Sequence, residues 1–279
     1  MTHTIRTAFV LVAAWTTGAA AQSGTYRRTP GDTLRYGTTM SGVIATEGAP
    51  SGPMQISMSG ESIMVVAFAP ADTVRLWLEK GSMKMTSPMG EMSPPLDAML
   101  NKVWIGRMAP KGKVEMTAAP ALPTDHMPGG DIVSGFLPHA MQIFMVLPAE
   151  PLRVGLSWPD STEARTKIPN GGETSSRTTT TYTVVKDSTL DGERVFVIEK
   201  ISKLVAEANA SMDTGGTTMH MKMNMTGDVT GRIYFAPERG LMLKQTDLSV
   251  SKGTQHIEGA MSMSLTNSQR IENTVTLVR

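Results

Sequence analysis

The chain has 279 residues, a formal charge of +1 and no cysteine. The absence of cysteine excludes disulfides, thiolate metal sites and a cysteine nucleophile. The balanced charge gives no electrostatic reason to expect a nucleic-acid partner. Methionine is unusually frequent, with 23 residues against 6 phenylalanines. Because methionine fills irregular apolar gaps or forms adaptable binding surfaces, its placement carries most of the functional information.

Residues 1–21 have the pattern of a secretory signal peptide. Arg6 precedes an apolar run over residues 8–15, and three alanines at 19–21 supply a small-residue cleavage site. The apolar run is too short to span a bilayer as a helix, and we predict no transmembrane segment. With no cysteine to carry a lipid, we expect an exported bacterial protein, periplasmic or extracellular, that is not a lipoprotein.

Residues 22–130 read as a first β-meander unit. Between residues 33 and 87, stretches that alternate apolar and polar residues are separated by turn signals at 47–53 and 70–72. This spacing predicts a meander of about five antiparallel strands. Two further short strands are predicted near Trp104 and Val114, before a linker rich in proline and glycine.

Residues 131–151 are the best helix candidate and form a predicted helical connector. Asp131 can cap the helix, and Phe136 and Ile143 lie near one face of it. Pro148 and Pro151 end it.

Residues 152–279 read as a second β-meander unit, and its most regular strand lies at 219–228. Methionines occupy every second position there, and His220, Lys222 and Asn224 fill the gaps. In a strand, alternate side chains point to opposite faces, so all these thioethers would point one way. The pattern therefore predicts a half-buried strand with an apolar inner face.

Residues 54–70 align without gaps on residues 221–237. Identical methionine, glycine, phenylalanine, alanine and proline residues coincide, ending in Phe-Ala-Pro in both copies. Self-similarity at this long period predicts an internal repeat of two similar units.

The predicted fold class is mainly β. Two antiparallel meanders form a curved sheet, half-barrel or barrel with a short helical connector, and residues 22–279 make one compact domain.

No motif for catalysis or metal binding is present in the sequence. His126 and His139 fall in or near loops rich in proline, and His220 and His256 are expected to face solvent. There is no paired-histidine metal motif, no nucleophile elbow and no glycine loop for phosphate. We therefore predict no catalytic residue, no metal ligand and no cofactor, and a protein that is not an enzyme.

The alternating methionines have three interpretations. They pack an ordinary core, they line a cavity for a lipid or another apolar ligand, or they bind Cu(I), which thioethers favour. Against copper, alternate residues of a strand lie about 7 Å apart, and no inward histidine completes a site. The candidate ligand-binding residues are Met54, Ile56, Met58, Met83, Met85, Met219, Met221, Met223, Met225, Met261 and Met263.

Three features together resemble a known group of proteins. They are the alanine-rich leader, the stretch at 31–36 and the stretch at 147–158 that precedes a terminal meander. They resemble uncharacterised exported bacterial families that are similar to the lipoprotein-carrier group, the LolA and LppX-like half-barrels. This resemblance implies an incomplete antiparallel barrel that closes over a helix and holds acyl chains in a hydrophobic cavity.

The sequence thus predicts an exported protein that binds or carries an apolar, lipid-like ligand in a methionine-lined concavity. One alternative is an envelope module for structure or protein interaction, with a filled core. The other is a periplasmic Cu(I)-binding protein that uses Met-x-Met-x-Met. The sequence identifies no protein partner.

Overall fold

The computed structural model describes residues 24–50, 52–97, 99–120, 144–168, 172–214, 217–259 and 262–278. Twelve strands make up the regular structure of these described residues. They are β1 (Thr33–Glu47), β2 (Met54–Phe68), β3 (Thr73–Ser87), β4 (Gly90–Met92), β5 (Trp104–Met108), β6 (Val114–Ala118), β7 (Ser157–Ile168), β8 (Gly172–Leu190), β9 (Glu193–Thr214), β10 (Thr217–Ala236), β11 (Leu241–Glu258) and β12 (Met263–Val278).

All twelve strands belong to one sheet with the order β6-β5-β3-β2-β1-β12-β11-β10-β9-β8-β7, and β4 pairs with β3. Every pairing of these strands is antiparallel. The first and last strands pair in the middle of the sheet, where Tyr36 lies opposite Leu277. Strands β6 and β7 stand at the two ends of the order and do not pair with each other, so the sheet is not closed.

The chain is mainly β, but the predicted fold class is wrong in its arrangement. The two halves form one continuous sheet instead of two meanders joined by a helix, and the described residues contain no helix. Pairing β1 with β12 covers two strand edges that separate meanders would leave without hydrogen-bond partners. Within the predicted connector, residues 131–143 lie outside the described residues, and residues 144–151 form bends and irregular chain. Among the described residues no helix could span a membrane.

The register defines one face of the sheet, which we call the inner face. Residues directly opposite each other on antiparallel strands point to the same side, so each row of partners lies on one face. One row of the inner face consists of Met83, Gly60, Met40, Asn273, Asp247, Gly231, Lys200 and Tyr182.

A bulge in β3 keeps its apolar side chains on the inner face. Leu78 lies opposite Met64 and Lys80 lies opposite Ile63, so Glu79 is the extra residue between them. A bulge shifts the alternation by one residue. Leu78 on one side of the bulge and Met83 on the other therefore share the inner face although their parities differ.

One end of the sheet holds the packed core, which we call the base. Tyr26, from the segment before β1, lies in its centre. Its ring meets those of Phe144 and Phe235 edge-on, with centroids 5.3 and 5.6 Å apart. Its hydroxyl donates a hydrogen bond of 3.1 Å to the carbonyl oxygen of Met145. The buried core also includes Tyr36, Phe68, Leu76, Trp104, Met108, Trp158, Tyr182, Ile198 and Met242.

The sheet is rolled at the base. The amide of Leu147 donates to the carbonyl of Lys111, in the turn between β5 and β6, at 2.7 Å. At the other end of the strand order, Nε1 of Trp158 in β7 donates to the carbonyl of Val146 at 2.8 Å. Because one short segment contacts both ends of the strand order, the inner face is concave there.

Candidate functional site

The methionines of β10 alternate as the sequence predicts. Met221, Met223 and Met225 are half-buried on the inner face, while His220 and Lys222 are exposed on the outer face. Met219 belongs to the same strand and pairs with Met212 of β9.

The candidate residues of β2 and β3 form a second apolar patch on the same face. Met54, Ile56 and Met58 follow one another on β2, and Met85 lies directly opposite Met58. Met58 is 6% exposed. Met83 lies opposite Gly60 on the next row.

Of the two remaining candidates, the structure describes Met263, which is at the far end of the sheet from the base. Met263 of β12 lies opposite Ile257 of β11 and is half-buried. Met261 lies outside the described residues.

The structure brings the candidates together as two groups instead of one stripe. The group on β2 and β3 is separated from the group on β10 by strands β1, β12 and β11. Neighbouring strands are about 4.8 Å apart, so β2 and β10 are separated by about 19 Å along the sheet. We call these groups the two methionine walls.

A line of polar side chains runs between the methionine walls, and the sequence analysis missed it. Every inner-face position of β11 from Gln245 to Gln255 is polar or glycine, and β12 adds amides beside them. We call this the polar stripe. Its members are Gln245, Asp247, Ser249, Ser251, Gln255, Asn267, Gln269 and Asn273. The signal is present in the sequence, because the alternation around Leu248 and Val250 places those apolar residues on the outer face.

An ion pair lies at the end of the polar stripe near the base. Lys200 Nζ is 3.0 Å from Asp247 Oδ2, and the two side chains are 17% and 13% exposed. Gln245 Nε2 donates a second hydrogen bond to the same oxygen. Lys200 and Asp247 belong to β9 and β11 and meet above Gly231 of the intervening strand. A Cβ at position 231 would overlap Asp247 Oδ1.

Three polar atoms of the polar stripe are buried and have no hydrogen-bond partner in the described chain. They are Asp247 Oδ1, Asn273 Oδ1 and Ser251 Oγ. Buried polar groups are nearly always paired with protein or water, and an unpaired one costs about 1–3 kcal/mol. These atoms are enclosed by the sheet itself, with Asp247 against Gly231 and Ser251 against Gly227.

Amides of the polar stripe also contact the β10 methionine wall. Gln255 Nε2 lies 2.8 Å from the sulfur of Met221, and Gln269 Nε2 lies 3.7 Å from that of Met225. These sulfurs act as weak acceptors.

A cleft of about 520 Å³ opens beside the β2–β3 methionine wall. Met40 and Met83 are among its lining residues, together with the segment at 93–97. Leu96 lies over Gly81, with Cδ1 at 3.1 Å from the position of a Cβ there. Gly60 and Gly81 lack side chains and leave this part of the inner face unfilled.

Tyr182 stands beside Lys200 on the inner face. Burial raises the pKa of the Tyr182 phenol, and the nearby carboxylates of Asp160 and Asp247 raise it further. The phenol therefore stays protonated at neutral pH.

The described residues contain no group of three or more histidine, aspartate or glutamate side chains that could hold a metal ion. His220 and His256 are exposed. His126 and His139 lie outside the described residues. Copper binding through thioethers stays a prediction.

No protein-family model and no curated protein matches the chain. The resemblance to the lipoprotein-carrier group thus stays a prediction.

Several solved structures resemble the fold at low similarity. A structure of lipovitellin, determined for its lipid–protein interactions, is 13% identical with a TM-score of 0.46 over 91% of this chain. The chain spans 26% of that lipovitellin chain. Neisserial surface protein A is 8% identical, with a TM-score of 0.22 over 88% of this chain and 99% of its own. OccK11 of Pseudomonas aeruginosa is 7% identical, with a TM-score of 0.24 over 91% of this chain and all of its own. At such low identities and TM-scores, these likenesses assign neither a family nor a function to the chain.

Proposed function

We propose that this chain is an exported, non-enzymatic protein that binds or carries a lipid-like ligand on the inner face of its sheet. One observation carries the proposal. Among the described residues, the side chains of the two methionine walls lie on the inner face, yet they belong to neither packed hydrophobic cluster. They form apolar surface that the described chain leaves partly uncovered.

The polar stripe favours a ligand site rather than a filled core as the interpretation of the inner face. The described chain buries polar atoms of Asp247, Asn273 and Ser251 in this part of the sheet without hydrogen-bond partners. Natural cores avoid such groups because each costs free energy. The polar stripe is therefore not built as an apolar filled core.

Methionine suits the walls of such a site. Its unbranched thioether side chain adapts to ligands of different shape, which a branched side chain does less well. Burying each methylene of an alkyl chain contributes about 0.8 kcal/mol, so ten methylenes would contribute about 8 kcal/mol. That gain is comparable to the free-energy cost of association, about 4–15 kcal/mol. Measurable binding therefore requires that much of the ligand's alkyl chain be buried.

The leader pattern at residues 1–21 supports export, and the proposed location is the periplasm or the extracellular space. Lipid transfer between membranes needs a carrier in those compartments, and an uncovered apolar surface outside the cytoplasm fits that role.

The test is binding of a fluorescent alkyl probe to the purified protein, with native mass spectrometry of protein isolated from its host. We expect co-purified lipid and saturable binding of the probe. A variant with Met223→Gln and Met225→Gln should bind the probe about tenfold more weakly. The matched control carries Lys222→Gln and Asn224→Gln on the outer face of the same strand and should bind normally. Absence of any alkyl binding by the unmodified protein would contradict the proposal.

A further inference from the structure

A row of methionines crosses three neighbouring strands on the inner face. Met58 of β2 lies directly opposite Met85 of β3, and Met85 lies directly opposite Met92 of β4. Directly opposed residues share a face, and their Cβ atoms are about 4.5–5.5 Å apart. Within the part of the chain that the structure describes, no other row places three methionines on adjoining strands. We call these three residues the methionine row.

The methionines of β10 are arranged differently. They follow one another along a single strand, where alternate residues are about 7 Å apart. Met223 lies opposite Ala208 on one side and Gln255 on the other, and Met225 lies between an alanine and a glycine. No thioether is therefore opposite Met223 or Met225. The Met-x-Met-x-Met pattern of β10 does not gather its sulfurs, whereas the methionine row does so across strands.

The methionine row runs from a buried end to an exposed end. Met58 is 6% exposed, Met85 is half-buried and Met92 is 52% exposed. Beyond Met58 the next residue of the row is Gly42, and the side chain of Ile271 leans over it, 3.0 Å from the position of a Cβ there. The row is thus closed by an apolar side chain at β1 and open at β4, which gives a small ion a path of entry.

We propose that the methionine row binds one Cu(I) ion through the thioether sulfurs of Met58, Met85 and Met92. Thioethers are soft ligands that select Cu(I), whereas Mg²⁺ and Ca²⁺ prefer oxygen ligands and Zn²⁺ takes imidazole or thiolate. The unbranched methionine side chain has three rotatable bonds, so the outer two sulfurs can turn toward the one between them. This proposal does not rest on the proposed function.

The charged residues next to the methionine row do not supply a competing hard ligand. Lys84 and Glu91 precede Met85 and Met92 and therefore point to the outer face. Their side chains form a salt bridge of 2.9 Å on that face. The three side chains of the row itself are neutral, so the site favours an ion of low charge, which is the least costly to remove from water.

The experiment titrates the purified protein with Cu(I) under anaerobic conditions, in competition with a chromophoric Cu(I) chelator. We expect one ion per chain. A second titration uses Ag(I), a soft ion of the same charge, and protein with ¹³C-labelled methionine methyl groups. Ag(I) should shift the methyl signals of Met58, Met85 and Met92 and leave those of Met223 and Met225 in place.

Leucine variants identify the ligands without opening cavities. Met58→Leu with Met85→Leu removes two sulfurs but keeps the apolar volume, so the fold should be kept. It should weaken Cu(I) binding by about a hundredfold or more, and Met92→Leu, at an exposed position, by about tenfold. Met223→Leu with Met225→Leu is the matched control and should bind Cu(I) as tightly as the unmodified protein.

Three results would overturn the proposal. They are failure of the protein to compete with the chelator, undiminished Cu(I) binding by Met58→Leu with Met85→Leu, and Ag(I)-induced shifts confined to the β10 methyl groups. Zn²⁺ bound as tightly as Cu(I) would also overturn it, because thioethers do not favour Zn²⁺. The same leucine variant keeps its apolar surface and should still bind the alkyl probe, so failure of the copper site and failure of the proposed function are told apart.

Discussion

Lys200 and Asp247 form an ion pair across an intervening strand, with 3.0 Å between Nζ and Oδ2. Ion pairs within a sheet usually join neighbouring strands, but here β10 lies between the partners. The contact is possible because Gly231 occupies the position between them and raises no side chain above the backbone. The contact between Lys200 and Asp247 thus requires a glycine at position 231.

Replacing Gly231 with alanine should therefore destabilise the protein. The new Cβ would overlap Asp247 Oδ1 and lie 2.5 Å from the carbonyl oxygen of Thr246. Overpacking of this kind costs about 1–3 kcal/mol in the free energy of unfolding, measured by denaturant titration. Gly37→Ala is the control, because its Cβ would meet a flexible Val278 methyl at 3.3 Å. Equal stability of the two variants would contradict the proposed packing.

Breaking the ion pair by Lys200→Met should cost about 3 kcal/mol, because it leaves a largely buried carboxylate without its partner. Replacing both partners, by Lys200→Met and Asp247→Leu, should recover most of that loss. Lys203 and Asp228 form an exposed pair with side chains 77% and 68% exposed, so Lys203→Met is the control. Its effect should stay within about 0.5 kcal/mol. A Lys200→Met variant as stable as this control would show that Lys200 and Asp247 are solvated.

Removing the ring of Tyr26 should loosen the base. Tyr26→Ala deletes the edge contacts to Phe144 and Phe235 and leaves the Met145 carbonyl unpaired. Large-to-small changes of buried aromatic residues cost about 3–5 kcal/mol. Tyr26→Phe keeps the ring and should cost about 1 kcal/mol for the lost hydrogen bond. If thermal unfolding shows similar losses for both variants, the ring is not the anchor described here.

Stability should fall at alkaline pH because of the buried tyrosines. Burial raises the pKa of the Tyr26, Tyr36 and Tyr182 phenols above their ordinary value of 10.0. The unfolded chain loses these protons first, so it binds fewer protons than the native state above pH 10. The stabilisation is complete below that pH and is lost as the pH rises above it. Phenolate absorbance should appear together with loss of tertiary circular dichroism. Ionisation of all tyrosines near pH 10 in folded protein would contradict their burial.

The alternation of β10 could be predicted because it is local. A strand repeats every two residues, so Met221, Met223 and Met225 had to share a face once the segment was extended. The inner-face position of Met83 needed the bulge at Glu79, which changes the parity of β3 and has no clear local signal.

The arrangement of the sheet could not be predicted in the same way. The pairing of Tyr36 with Leu277 joins residues from opposite ends of the chain. No feature of either segment's sequence indicates which strand it pairs with. The polar stripe was encoded in the alternation of β11, where Leu248 and Val250 point outward. Its importance depends on Asp247 meeting Lys200 across β10, which only the assembled sheet reveals.

The central claim is that an alkyl chain lies against the inner-face methionines. The most direct measurement uses protein with ¹³C-labelled methionine methyl groups and a fatty acid that carries a nitroxide at its alkyl end. The methyl signals of inner-face residues such as Met223, Met225 and Met58 should broaden. Those of Met89, which is 88% exposed, and Met242, which is buried in the base, should not. Uniform broadening, or broadening of Met89 alone, would contradict the claim.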